Sequence, residues 1–551
     1  MGIVQLSNST QLNNTMRIHE NKRSTLFKQA ALCFFLGINF NCVVVAEPEP
    51  TPQASFDLLE LRVKGNTLIE KTQLERTVYP FLGLKKSIDT VEQARDALES
   101  LYRTKGYQTV AVDIPEQNVK NGVVYLNVVE GKVSRLRVKD SRYFALGNIK
   151  AGVPELAEGN VPNMPKMQEQ LTALSNQSPD RKITPVLRAG ETPGTLEVDL
   201  KVKDSLPLHG RIELNGRNTA STSRLRLVST LHYDNLWQKL HSASIMYQVS
   251  PENNEEVDVW AGTYAMPIPT TDAKLAFYAV SSSSNAQIAS AGALNVIGIG
   301  NIYGTRLIKP LPSLDNYFHT LTLGVDYKDF SEDLNLIGAD TIKTPITYLP
   351  FMVQYGSSLK GKEWLTSFNI GVNFSVRGLG NDQDEFKNKR YKSQSNYAAL
   401  TGGINFTHNL PYGMEIFSRI SGQKADSPLI SNEQFSLGGM QSVRGYFETQ
   451  ALADDGLMGS IELRSPHLLP GNRDIVDKLQ AVIFVDGGRG WIQNALPGNS
   501  KGSELASTGL GMRFQLWKYF VGVLDLGFPL VDLAPVQKGD PKLHFNIATE
   551  F

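Results

Sequence analysis

The sequence predicts a mixed fold: two small α+β modules followed by a large antiparallel β-barrel that crosses a membrane with its strands. Three observations predict it. An apolar stretch preceded by basic residues lies near the N-terminus. The order strand, helix, helix, strand, strand runs through residues 56–132 and again, less regularly, through 133–205. Residues 206–551 then alternate apolar and polar side chains over long runs.

Taken in order, Lys22, Arg23 and Lys28 precede the apolar residues 30–40, and Val44-Val45-Ala46 places small or apolar residues ahead of a cleavage point, so 1–46 reads as a secretory signal peptide. Residues before Met16 do not resemble a signal, which makes Met16 a candidate start. The stretch is broken by Asn39 and Asn41 and falls short of the ~20 apolar residues of a spanning helix, as does every later segment. Both cysteines, Cys33 and Cys42, lie in the segment expected to be removed, leaving no disulfide. Cys42 as a lipid anchor is the poorer reading, because Asn39 and Asn41 suit that processing badly. Residues 47–55 carry Pro48, Pro50 and Pro52 and form a polar leader that cannot be helical throughout.

Within 56–132, residues 58–63 are strand-like, and Gly65-Asn66-Thr67 turns the chain into a helical stretch ending near Pro80. A second helix starts near Asp89-Thr90. Ala94, Leu98, Leu101 and Tyr102 mark its buried face, and Gly106 follows its end. Strands are expected over 109–114 and 123–129, separated by Lys120-Asn121-Gly122. The second copy has a helix containing Met167, Leu171 and Leu174 and closing strands at 184–187 and 195–202. This order resembles a POTRA domain, the periplasmic module that receives unfolded outer-membrane clients. Its useful physics is an exposed strand edge that pairs with an extended chain through backbone groups.

In the barrel region, Phe368, Ile370, Val372, Phe374 and Val376 alternate with polar or small residues, as do Leu321, Leu323, Val325 and Tyr327. Leu510, Met512, Phe514 and Leu516 alternate with Gly511, Arg513 and Gln515, which places a charge on the opposite face. A soluble sandwich would also alternate; the length of the region argues for a barrel. Residues 380–385 are expected to form an external loop. The terminal series Leu543, Phe545, Ile547 and Phe551 reads as an outer-membrane assembly signal, and hence as an engagement with the assembly machinery during biogenesis.

The chemistry concentrates near the C-terminus. Arg444 is flanked by Val443 and Gly445-Tyr446, where a glycine lets the backbone fold sharply and carry a guanidinium inward. Asp486 follows Phe484 and Val485, a place where an unpaired carboxylate would be costly. Spacing alone does not separate a lumenal Arg444–Asp486 pair from a turn arginine and a strand-end aspartate that never meet. The run Val443-Arg444-Gly445-Tyr446, with Gly459-Ser460-Ile461-Glu462 and Phe484-x-Asp486-x-Gly488 after it, resembles the signature of two-partner secretion transporters, the TpsB relatives of the haemolysin and filamentous-haemagglutinin exporters. The segment from Leu206-Pro207-Leu208-His209-Gly210 to Tyr233-Asp234-Asn235-Leu236-Trp237 resembles that family's first barrel hairpin, so the likeness spans nearly the whole mature chain.

The resemblance implies sixteen strands, at ~22 residues per strand and connection, and an inward-folded loop at 434–456. Arg444 and Asp486 would lock that loop, with Gly459, Glu462, Phe484 and Gly488 as supporting barrel positions. It also implies export of a large unfolded TpsA-type exoprotein through the lipid bilayer without nucleotide, by a monomer. An insertase of the same superfamily is the alternative; only two POTRA-sized repeats fit between Ser55 and Leu206, which favours transport. A passive porin would have no use for the N-terminal modules. Several of these transporters thread an N-terminal helix through the barrel, and the short leader 47–55 leaves the Arg444 loop as the main expected obstruction.

Other classes are disfavoured. Lys+Arg 55 against Asp+Glu 55 provides no net charge to attract nucleic acid. Gly356-Ser357-Ser358-Leu359-Lys360-Gly361-Lys362 approaches a phosphate-binding loop, but Glu363 stands where a magnesium-binding hydroxyl is needed, and the run reads as a hairpin connection. His209, His232, His241, His319, His408, His467 and His544 are scattered with no helical ligand spacing, so no metal site or cofactor is expected. There is no Gly-x-Ser-x-Gly elbow, and an enzyme such as an outer-membrane lipase is not expected.

Overall fold

The computed structural model describes residues 55–269, 271–283, 298–331, 333–334, 342–469 and 475–551. The expected signal segment, both cysteines and nearly all of the leader lie outside them. Two compact units are present. One holds the chain up to Lys139 with Lys150–Leu174 and Ile183–Lys201; the other holds Asp140–Ile149, Ser175–Lys182 and Val202–Phe551.

In the first module, helices Lys71–Val78 and Ile88–Thr104 cover a three-stranded sheet. The longer helix buries Val91, Ala94, Leu98 and Tyr102, a single stripe at helical spacing, and leaves Leu101 only half-buried. Val91, Leu98 and Tyr102 share one core with Val110, Val112, Val124, Leu126 and Val128. Strand Val123–Glu130 is central, parallel to Glu60–Lys64 and antiparallel to Val110–Asp113, so the module has two open edges. The Glu130 carboxylate accepts from the N–H groups of Thr67 (2.7 Å) and Leu68 (3.1 Å), fixing the turn that enters the first helix.

Residues after Lys132 repeat the strand order. Strand Thr195–Asp204 is central, with Lys132–Lys139 parallel on one side and Arg181–Ala189 on the other. Helix Met164–Asn176 buries Met167, Leu171 and Leu174. Arg137 bridges two residues of the central strand, Glu197 (2.6 Å) and Asp199 (2.8 Å).

From Leu208 onward the strands close on themselves as an antiparallel barrel of sixteen, running from Leu208–Asn215 to Lys542–Glu550; Ile346–Tyr348 and Pro350–Lys360 form one strand interrupted at Leu349. Alternation has the physical cause expected of a spanning sheet. Leu323, Ile370, Ile461, Ile483, Val485 and Leu510 are exposed on the outside, while Asp326, Gln480, Asp486, Ser507 and Asp525 are buried. Only alternate residues face lipid, so a hydrophobic fraction of 41% suffices. Trp237, Tyr412, Trp517 and Tyr519 stand exposed at the short turns on the end where Leu208–Asn215 begins, the position of an interfacial aromatic girdle.

Closure is narrow. Pairing of the last strand with the first runs from Asn546↔Asn215 to Glu550↔Arg211, extended at one end by reciprocal backbone bonds between Gly210 and Phe551 (2.9 and 3.0 Å) and at the other by a bond from Gly216 N–H to the Phe545 carbonyl (3.0 Å). Two expectations are adjusted. The Gly-Ser-Ser-Leu-Lys run continues strand Pro350–Lys360, and only Gly361-Lys362-Glu363 turns, because that stretch keeps its ladder bonds to Trp364–Ser375. Residues 380–385 lead into a short helix, Gln383–Lys389, whose Phe386 is buried against Tyr348 and Tyr397.

Candidate functional site

Between strands Glu415–Ala425 and Asp455–Arg464 the chain turns into the barrel. Its root is a short hairpin, Phe435–Leu437 with Ala451–Ala453. Beyond it, Leu437, Val443 and Tyr446 are fully buried and pack with Ala451, Met458, Leu505 and Val536. Three glycines permit the approach. Gly445 has φ +92°, and it lies so close to the wall that a Cβ on Gly527 would stand 2.6 Å from the Gly445 nitrogen. On strand Val476–Trp491, a Cβ at Gly488 would meet Leu437 at 2.8 Å and Val443 at 3.1 Å.

Arg444 sits at the tip with a side chain 2% exposed. Its backbone N–H and Nε both donate to Asp486 Oδ2 (3.0 and 2.7 Å), and Nη2 donates to Asp486 Oδ1 (2.7 Å), a fork matched to the carboxylate. Nη2 also donates to Ser460 Oγ (3.1 Å), and Nη1 to Glu462 Oε1 (2.6 Å) and Asp525 Oδ2 (3.3 Å). The guanidinium carbon lies 3.5 Å from the centroid of the Phe484 ring, a cation–π contact. Asp486 is five residues in from Trp491, the outer end of its strand, roughly 16 Å along it at ~3.3 Å per residue.

The carboxylates are themselves held by the wall. Arg513 donates to Asp525 (2.5 and 3.0 Å), and Arg464 to Glu462 (2.9 and 2.7 Å) and Glu415 (2.6 Å). Gly445 N–H donates to His544 Nε2 (2.9 Å), and the Tyr446 hydroxyl donates to the Val531 carbonyl (2.7 Å). This is a socket built for one cation. A buried charge of either sign here is tolerable only while its partner is present.

Of the residues singled out from sequence, the structure brings Val443, Arg444, Gly445, Tyr446, Glu462, Phe484, Asp486 and Gly488 together. Gly459 is not among them: Ser460 and Glu462 point inward, so Gly459 faces out, and a Cβ there would make only ordinary contacts. Phe551 lies at the seam, with its ring over Gly210. Sequence reasoning missed Ser460 as a direct partner, Asp525, Arg513 and His544. Asp525 carried the same signal as Asp486, a lone carboxylate between Leu524 and Leu526.

The loop root carries a second buried pair. Asp454, fully buried, accepts from Arg390 (2.5 and 2.6 Å) and from the N–H groups of Leu429 and Gln493 (both 2.8 Å), so three outer connections converge on it.

Residues 194–514 match the family of haemolysin secretion/activation proteins ShlB/FhaC/HecB, and residues 56–131 match the ShlB-type POTRA domain. The outer membrane transporter CdiB of Dickeya dadantii is 24% identical over 435 residues, covering 74% of this chain and 72% of that protein. The heme/hemopexin transporter protein HuxB of Haemophilus influenzae is 22% identical over 480 residues, covering 84% and 81%. Among solved structures, CdiB from Escherichia coli superposes with a TM-score of 0.59 at 18% identity over 93% of both chains. BamA from Haemophilus ducreyi, lacking POTRA domains 1–3, shares the fold with a TM-score of 0.54 at 14% identity, covering 90% of this chain and all of that one. With a POTRA domain ahead of a closed sixteen-stranded barrel and a family match over more than half its length, the chain belongs to the ShlB/FhaC/HecB haemolysin secretion/activation family and is an outer-membrane transporter of two-partner secretion.

Proposed function

We propose that the chain passes an unfolded TpsA-type exoprotein from the periplasm to the cell surface, with loop 434–456 as the movable obstruction and Arg444–Asp486 as its lock. The observation that carries this reading is the placement of a loop arginine in a socket of wall carboxylates, an arrangement that holds the loop inside the barrel through side chains and lets it withdraw with the ladders between wall strands intact. No step in it requires nucleotide; folding of the client outside the cell supplies direction. Residues 56–132 and 133–205 serve as two POTRA modules, the second supported by its repeated strand order, and their open edges receive the client through backbone pairing. The barrel acts as a monomer, delivered by the outer-membrane assembly machinery, with the Phe551 strand as its signal.

Secretion of the cognate exoprotein into the medium tests the lock. Arg444→Ala and Asp486→Ala should each stop export while the barrel still assembles and shows heat-modifiable migration. Full export by both variants would overturn the assignment. Deleting 56–132 should likewise end export from a barrel that remains in the membrane.

A further inference from the structure

The first barrel hairpin carries a group of side chains that transport does not use. His209 and His232 face each other in register across strands Leu208–Asn215 and Arg226–Leu236, and Asp234 shares the face of His232 two residues on. Asp180, in the turn that enters strand Arg181–Ala189, completes the set, anchored by a bond from Ser205 N–H to its carbonyl (3.0 Å). All four belong to the same compact unit. His209 Nε2 lies 3.1 Å from Asp180 Oδ2 and 3.9 Å from Asp234 Oδ2, and the three candidate ligand atoms of Asp180, His209 and Asp234 fall within 4.8 Å of one another. His232 Nε2 contacts the other oxygen of Asp234 at 2.5 Å.

We propose that Asp180, His209 and Asp234 form a divalent transition-metal site at the periplasmic end of the barrel, with His232 as the positioning residue that orients Asp234. The donor set of one imidazole and two carboxylates suits zinc-like ions. Bonds of about 2.0–2.2 Å place tetrahedral ligands roughly 3.4 Å apart, and the observed separations bracket that value. The two carboxylates carry two negative charges whose only counter-charge within the cluster is imidazole, which is positive only when protonated; a divalent cation would neutralise both. Access matches reversible loading: Asp180 is 7% exposed, while Asp234 and His209 are 26% and 43% exposed. His232 donating to a ligating carboxylate is the outer-shell contact that metal sites require. Helical spacing could not reveal the site, because its ligands come from two strands of a hairpin and a turn some thirty residues upstream of His209. A bound ion would tie the segment Ser175–Lys182 to the first hairpin.

The test is zinc binding to the tag-free, full-length protein purified in detergent, by calorimetry, with melting temperature in zinc against EDTA as a second readout. One zinc should bind per chain, and zinc should raise the melting temperature until one equivalent is added. His209→Gln and Asp180→Asn should abolish both effects, His232→Ala should weaken binding by about 10–100-fold, and His408→Ala should leave it unchanged. Failure of the unmodified protein to bind zinc, or binding that survives both His209→Gln and Asp180→Asn, would overturn the site. Because the melting shift is read on the unmodified chain, misfolding of a variant would not rescue the proposal.

Discussion

Two of the arginine–aspartate forks inside the barrel are alike in being bidentate and differ in consequence. Arg306 donates to both oxygens of Asp326 (2.5 and 2.9 Å) and to the Tyr278 hydroxyl (2.7 Å), all on neighbouring strands. Arg444 also grips both oxygens of Asp486, through Nε and Nη2, but from a loop onto the wall. The first pair joins segments that backbone ladders already hold. The second is a main polar tether of a segment with no ladder bonds to the wall at its tip. Ion-pair chemistry does not by itself make a latch; what matters is whether anything else holds the two halves together.

Mutations can break or sharpen that contrast. Arg444→Ala or Asp486→Ala should have the largest effect, about 3–5 kcal/mol against the seated loop, read in planar bilayers as frequent open conductance. The double variant should cost less than the two singles combined, since it removes both members and leaves neither Arg444 nor Asp486 behind as an unpaired buried charge; a double-mutant cycle measures that coupling. Next comes Gly445→Val, which forces a β-branched residue to φ +92° against Pro529 and should unseat the loop by about 1–3 kcal/mol. Arg390→Ala frees the Asp454 carboxylate at the loop root and should raise conductance less than the tip variants, because the Arg444 fork remains. Arg306→Ala should lower the thermal stability of the barrel and leave conductance at the unmodified level; opening comparable to Arg444→Ala would erase the distinction. Lys424→Ala, whose partner Asp455 it reaches from a side chain 71% exposed, should change stability by about 0–1 kcal/mol.

The same contrast shows what the chain made legible. Period-two alternation and the helical stripe at Ala94, Leu98 and Tyr102 were readable because burial acts locally on neighbouring residues. Arg444 and Asp486 were readable as costly charges in apolar or glycine-rich surroundings. Asp525 was readable on the same ground, between Leu524 and Leu526, but that it, Arg513 and His544 meet at one seat depends on register across several strands, which no local pattern encodes. Gly459 goes the other way: it is a motif position that supports the barrel, yet the inward phase of Ser460 and Glu462 assigns it to the lipid face. Helix Gln383–Lys389 escaped notice because a seven-residue polar segment with one buried aromatic, Phe386, has no periodicity to detect.

Arg444 also sets the electrical state of the conduit. Around its seat the wall presents Glu415, Glu462, Asp486 and Asp525 against Arg464, Arg513 and Arg419, the last directly across from Ser460 in register. When the loop withdraws, one positive charge leaves with it, and the wall becomes one unit more negative than in the seated state at the depth where a translocating chain must pass. Opening should therefore shift the pore toward cations in reversal-potential measurements, and basic stretches of the passenger should be drawn into the place that the loop arginine vacated.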